Sequence, residues 1–332
     1  MLTSSQPPSG AFAAAFREAL AGRDAMTFEA FCALALYHPS AGYYTDAARL
    51  RVGKEGADFY TASSLGPVFG KLVAEACARG ISSAGVDPAS ATLVEVGCER
   101  GRGVLGACPG AFGRHVELPL GADLDLSGPC AVFSNELFDA QPFSRWHFRD
   151  GAWREACVRL GSDGLLHETL DGPGGPAPAE LAACDAPEGW VVDHPSGAAR
   201  LLRRLAAPGW HGFFLALDYG CTLGHMLSGR PEGTARAYVR HTQHNRLLDD
   251  PGAQDLTHHV AWDLLEDVLR QCGFSDVRTE RQEACLMRMA PDAIRAAASG
   301  AGFSVERRAL MALLHPAHMG SRFQALTAVR RA

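Results

Sequence analysis

The chain has no closely spaced thiols, no excess of basic charge and no long apolar run, and each absence removes a class of function. Its 10 cysteines fall at 32, 77, 98, 108, 130, 157, 184, 221, 272 and 285, with no C-x-x-C among them. Zinc sites and redox pairs need thiols close in sequence, usually on a turn. Scattered ones read as small buried hydrophobes. Lys+Arg number 31 against 37 Asp+Glu, a formal net charge of −6, the wrong sign for bulk binding of nucleic acid or anionic membrane. No stretch approaches the roughly 18–20 apolar residues of a membrane span. The N-terminus lacks a basic segment followed by an apolar one, and Glu18 and Asp24 speak against an Arg-rich transit peptide. A cytoplasmic location is therefore expected. No internal repeat suggests a solenoid.

What is present suits a packed globular chain. Of 332 residues, 47% are hydrophobic and 20% charged, enough to bury a sizeable core in one large domain or two smaller ones. Thr27 is placed to cap a helix carrying Phe28, Phe31, Cys32 and Ala35, which the stretch His38–Thr45 (HPSAGYYT) breaks. Leu65, Val68, Phe69, Leu72, Val73 and Ala76 form a second helical stripe. Up to about residue 90 the chain reads as a helical, loop-rich leader. From Thr92 onward, β-prone runs appear at Thr92–Val96, Cys130–Ser134, Ser144–Phe148, Ala156–Leu160 and Phe213–Leu217, with further ones near Ser275–Thr279 and Phe323–Val329. A helix carrying Val260, Leu264, Val268 and Leu269 and ending at Gly273 lies between them. Strands interleaved with helices predict a three-layer α/β domain.

Three constellations could carry chemistry. The first is Glu95, Gly97, Gly101 and Gly103, an acidic strand end opening into a glycine-rich turn. Such turns let the backbone approach a nucleotide-like ligand, although they also serve wherever a turn needs positive φ. The second is Asn135-Glu136-Leu137-Phe138-Asp139-Ala140-Gln141-Pro142, just past an apolar run. An amide and two carboxylates there could orient a cationic substrate, or could cap a short helix and complement its dipole. Glu136 and Asp139 are three residues apart, which on a helical turn places both on one face. The third is Asp218, at the exit of another predicted strand, followed downstream by Arg236, Tyr238, His241, Asp255, Thr257, His258 and His259. Adjacent helical residues point about 100° apart, so His258 and His259 are not expected to share a metal ion. Asp255 or Thr257 could simply cap the next helix.

Taken together, these segments resemble the MidA-like class I S-adenosylmethionine methyltransferases, relatives of the mitochondrial arginine methyltransferase that supports assembly of respiratory complex I. The resemblance runs through Ala35–Thr45, Gly56–Gly70, Leu93–Gly97, Asn135–Phe143, Leu217–Gly220, Ala235–His241, Asp250–Trp262 and Met319–Leu326. It implies a Rossmann-like sheet, an N-terminal helical cap over residues 1–90, and a methyltransferase domain over 91–332 with a substrate-side insertion around 150–260. It also implies S-adenosyl-L-methionine as cofactor and a methyl acceptor that in the mitochondrial relatives is a protein arginine. Carried over by position, Glu95, Gly97 and Gly101 fall on the cofactor motif, and Asp58, Phe59 and Thr61 on a leader segment that closes over the site. Asn135, Glu136 and Asp139 fall on the loop between cofactor and substrate. Glu117, about 20 residues past Gly97, stands near the offset expected of a ribose-binding acid. Glu136 and Asp139 are the expected grip on a guanidinium, with Asp218 a further carboxylate for the acceptor.

The sequence departs from the family in two places. Glu99 stands where the motif's middle glycine belongs, and the interval from Gly97 to Asn135 is short. These departures motivate an alternative, a catalytically silent relative that keeps the fold as a binding or assembly protein. No nucleic-acid partner is expected, and the sequence leaves the oligomeric state open.

Overall fold

The run Thr92–Val96 folds as a strand with those bounds, and it sits inside the central sheet of a computed structural model. The structure describes residues 1–45, 66–99, 101, 103–106, 111–239, 242–299, 304–315 and 318–332. By packing it divides into two units. One comprises Met1–Tyr60, Phe138–Ala198 and Cys221–Ala261; the other comprises Thr61–Leu137, Ala199–Gly220 and Trp262–Ala332. The second contains the central sheet and is called here the sheet unit.

Six of the seven strands of that sheet are β1 (Thr92–Val96), β2 (Arg114–Leu118), β3 (Gly128–Asn135), β4 (Trp210–Cys221), β5 (Ser275–Arg281) and β6 (Phe323–Arg330). They lie in the order β5-β6-β4-β3-β1-β2. The pairs β1–β2, β1–β3 and β3–β4 are parallel, whereas β6 runs antiparallel to both β4 and β5. Parallel strands covered on both faces read as continuous apolar runs, which is the pattern of Cys130, Ala131, Val132 and Phe133, all buried. The helix Pro67–Ser83 lays Val68, Phe69, Leu72 and Val73 into a core shared with Leu93, Phe133 and Phe213. Gly80 permits this approach, because a Cβ there would collide with the Phe213 ring. The short interval after Gly97 still supplies a strand: β2 pairs along the whole of β1. The helix Trp262–Gln271 stops just before Gly273, whose φ of +84° ends it as expected.

The other unit is antiparallel. Its sheets pair Met26–Thr27, Cys157–Leu160 and Leu166–Thr169; Thr242–His244, Arg236–Val239 and Asp255–Thr257; and Ala152–Glu155, Ser144–Arg149 and Val191–His194. Thr27 caps the helix Phe28–Tyr37 by accepting the Ala30 N–H at 3.2 Å. Phe12, Phe16, Phe28, Phe31 and Phe143 fill its core. Beside them lies a buried ion network. Arg145 Nε donates to Glu168 at 3.0 Å and Nη1 to Asp193 at 2.5 Å, and His147 meets the same Glu168 oxygen at 2.9 Å.

Two expectations fail here. Residues 136–141 form bends and a turn, with no helix, so Glu136 and Asp139 do not share a helical face. Asp255 and Thr257 cap no helix; they lie in a strand that pairs with Arg236–Tyr238. All nine described cysteines are free, and no helix of the described residues is long and apolar enough to cross a membrane.

Candidate functional site

In a parallel sheet, register and alternation decide which side chains share a face. Glu95 is in register with Glu117 on β2 and with Phe133 on β3. Asn135, two residues past Phe133, lies on that same face at the carboxyl end of β3. Glu95, Glu117 and Asn135 are thus gathered at the strand ends, where open α/β sheets bind ligands. The structure brings together three positions spread over 40 residues of the chain.

Glu95 is buried, and its carboxylate accepts the N–H of Val104 at 3.0 Å and of Leu105 at 3.1 Å. Burial pushes its pKa up; those two bonds oppose the rise, and the neighbouring Glu117 adds to it. Glu117 itself is exposed. A Cβ on Gly103 would collide with both carboxylates, so glycine there lets the loop close over the acid pair. Gly97 has φ +82° and Gly101 +71°, conformations that favour glycine. A Cβ on Gly97 would also stand 2.5 Å from Leu137 Cδ1.

At the end of β3, and beside it along β4, the backbone is held by side chains. Asn135 Nδ2 donates to Glu136 Oε1 at 2.9 Å, and the Glu136 N–H donates to the Leu217 carbonyl at 2.9 Å. Glu136 adopts φ +47°, uncommon for a residue with a Cβ. Asp218 has no exposed surface, and its two oxygens accept the N–H groups of Leu137 and Tyr219.

Asp139 belongs to the other unit, where it is buried, and its carbonyl accepts the His258 N–H at 3.0 Å. Tyr238 is in register with Asp255, and Tyr44 donates its hydroxyl to Asp255 Oδ2 at 2.9 Å. Tyr37 stacks on Tyr44 with ring centroids 5.4 Å apart and donates to the Ala140 carbonyl at 2.8 Å. Burial raises the phenol pKa of Tyr37, Tyr44 and Tyr238, and the charges of Asp139 and Asp255 raise each further. All three phenols are protonated at neutral pH. His258 Nδ1 lies 2.9 Å from the His259 carbonyl. A carbonyl only accepts, so the proton is on Nδ1. Burial lowers both His258 and His259 to about 4, so both rings are neutral at pH 7.

Asp58, Phe59 and Thr61 lie outside the described residues, as do Arg100 and Arg102 beside Glu99. Sequence reasoning passed over Tyr37 and Tyr44. Their signal was the aromatic density of the stretch ending in Gly-Tyr-Tyr-Thr, which reads equally as a helix breaker.

The profile of a family described as "Putative S-adenosyl-L-methionine-dependent methyltransferase" matches residues 113–278, half of the chain. No curated protein matches by sequence. Among solved structures, the chain is similar to a Burkholderia thailandensis protein bound to S-adenosyl-homocysteine. That likeness has a TM-score of 0.80 at 24% identity and covers 96% of this chain and 92% of that one. A native structure of a protein from the same organism gives 0.77 at 23% identity, covering 96% and 91%. These identities speak for the fold, a mostly parallel α/β sheet of the class I methyltransferase type, while the profile speaks for the family. The chain belongs to this family of S-adenosyl-L-methionine-dependent methyltransferases.

Proposed function

We propose that this chain transfers the methyl group of S-adenosyl-L-methionine to a cationic nitrogen acceptor, with a protein arginine as the first candidate. The sheet unit fits the cofactor. Gly97, Gly101 and Gly103 leave room for backbone approach, and the exposed carboxylate of Glu117 suits the ribose hydroxyls. Glu95 holds the loop at Val104 and Leu105, and Asn135 lies on the same face. Asp58 and Thr61 join this set by resemblance alone. When bound, the cofactor supplies an electrophilic methyl on a sulfonium, so the protein's work is to position the acceptor and manage its proton.

The observation that carries the acceptor class is the Glu136 carboxylate just past the end of β3, its Oε1 held by Asn135. A carboxylate grips a guanidinium through paired hydrogen bonds, so Glu136 is assigned to orienting the acceptor nitrogen. In the other unit, the buried carboxylates Asp139 and Asp255 stand among Tyr37, Tyr44 and Tyr238. The proposed setting is the cytoplasm.

The test is calorimetric titration with S-adenosylmethionine and S-adenosylhomocysteine, followed by transfer of labelled methyl to arginine- and lysine-containing peptides. Glu136→Gln should leave cofactor affinity nearly intact and lower turnover at least about tenfold. Turnover equal to wild type removes Glu136 from the chemistry. Label on lysine but not arginine removes the arginine reading, and no binding at millimolar ligand removes the cofactor reading.

A further inference from the structure

A side chain retained in left-handed backbone, where glycine would relieve the strain, points to a function for the conformation or the side chain. Glu136, at φ +47°, is such a residue, and the bonds around it are specific. Its own N–H donates to Leu217, Asn135 holds its carboxylate, and the next N–H, that of Leu137, donates to Asp218 Oδ2 at 3.1 Å. The second Asp218 oxygen accepts the Tyr219 N–H at 2.9 Å. The carboxylate thus ties the first residue past β4's Asp218 to the second residue past the end of β3. Beyond the tie, the Leu137 side chain lies against Gly97, the glycine that turns the chain at the end of β1.

We propose that Asp218 is a positioning residue. It acts through the backbone of Leu137, locking that residue so that Glu136 keeps its left-handed turn and the Leu137 side chain stays on Gly97. This assigns Asp218 to the alignment of β4 with the end of β3, in place of the direct acceptor contact expected from sequence. An aspartate suits the task because a short carboxylate can accept two N–H groups at once. Asparagine would turn an NH₂ toward one of them and lose that bond. The proposal rests on reading the strand ends as the cofactor side.

Three variants test it: Asp218→Asn, Glu136→Gly and the two combined. Each is measured by calorimetry with S-adenosylhomocysteine, by amide hydrogen exchange at Leu137 and Tyr219, and by thermal melting. Asp218→Asn should speed exchange at one or both amides about tenfold, the worth of a hydrogen bond to a charged group. It should weaken S-adenosylhomocysteine by a similar factor. Glu136→Gly supplies the reference for the pair, because glycine holds the turn without strain. In that background Asp218→Asn should cost less affinity and less melting temperature than in the wild type. A residue that merely supported the fold would show no such rescue.

Wild-type affinity and unchanged exchange in Asp218→Asn would overturn the proposal. So would a loss that Glu136→Gly does not relieve, which would place Asp218 against the ligand itself. Should Asp218→Asn not fold, Leu137→Ala keeps the tie and removes the side chain over Gly97; unaltered affinity there overturns the proposal equally. If the wild type binds no S-adenosylhomocysteine, the cofactor reading fails. The proposal then stands or falls on exchange at Leu137 and on coupling between the two substitutions in melting temperature.

Discussion

Carboxylates in the two units are satisfied in different ways. In the sheet unit, Glu95 accepts N–H groups nine and ten residues ahead, and Asp218 accepts that of the very next residue and that of Leu137, 81 residues back along the chain. In the other unit, Glu168 accepts Arg145, His147 and the Leu2 N–H, and Asp193 accepts Arg145, Thr234 and Ala235. Those partners are 21 to 166 residues away. The Glu95 arrangement follows from a strand and the loop after it, and the Asp218–Leu137 bond from the parallel pairing of β3 with β4. The arrangement in the other unit exists only once distant segments have met. A site at strand ends therefore inherits its geometry from a repeating backbone, whereas the other unit must assemble its polar interior contact by contact.

The largest effect should come from breaking that assembled interior. Arg145→Met leaves Glu168 and Asp193 buried without their shared cation, a change that typically costs about 3–5 kcal/mol. Chemical denaturation should register it, with the loss in hydrogen-exchange protection centred on Ser144–Arg149 and Val191–His194. A loss below about 1 kcal/mol, the range of an exposed pair, would show that the network contributes little.

Acid should separate the units by sign. Burial would raise Glu168, but the His147 hydrogen bond and the Arg145 charge outweigh it and bring the group from 4.5 to about 2. Its stabilisation is complete above the unfolded value and is lost as pH falls from 4.5 toward 2, up to roughly 3 kcal/mol. His258 and His259 are lowered from 6.5 to about 4. The unfolded chain therefore binds more protons between those values, and stability already falls as pH drops below 6.5. Glu95 is raised, so its contribution runs the other way: it favours the folded state at low pH and is lost as pH rises through its folded value. Protection measured at several pH values should fall first in the antiparallel unit. Loss beginning in β1–β4 would reverse the comparison.

Gly97→Val tests the strand ends by themselves. At φ +82° and with Leu137 Cδ1 2.5 Å from any Cβ, valine is both strained and obstructed. S-adenosylhomocysteine affinity should fall about a hundredfold or more, about 2.7 kcal/mol. A folded variant that binds normally would move the cofactor away from β1. The smallest effect is expected at Thr27→Ala, which removes a helix cap worth about 1 kcal/mol and should leave ligand affinity unchanged.

The residues legible in advance were those governed by short-range rules. Alternation and apolar runs placed β1, the middle of β3 and the middle of β4, and the Thr27 side chain capped the helix it was expected to cap. Glu117 stood at a plausible offset, and the structure puts it on β2, in register with Glu95. The helical reading of Glu136 and Asp139 failed because spacing alone does not fix φ. At Glu136 the bonds to Leu217, Asn135 and the Asp218–Leu137 tie select a conformation that propensity disfavours. Asp255 failed as a helix cap for a related reason, since its strand is made by pairing with Arg236–Tyr238.

The sequence by itself determined β1, the middles of β3 and β4 and the Thr27 cap, because those depend on a residue and its near neighbours. It also determined the order of motifs by which the chain resembles its family. Only the tertiary structure decided that Glu95, Glu117 and Asn135 share one face, since that requires parallel pairing in one register. It alone decided that Asp218 binds backbone, and that Tyr37 and Tyr44 stand beside Asp255. Tyr44 and Asp255 are 211 residues apart, and no local preference carries information over that distance; only the burial that brings the segments together creates the contact.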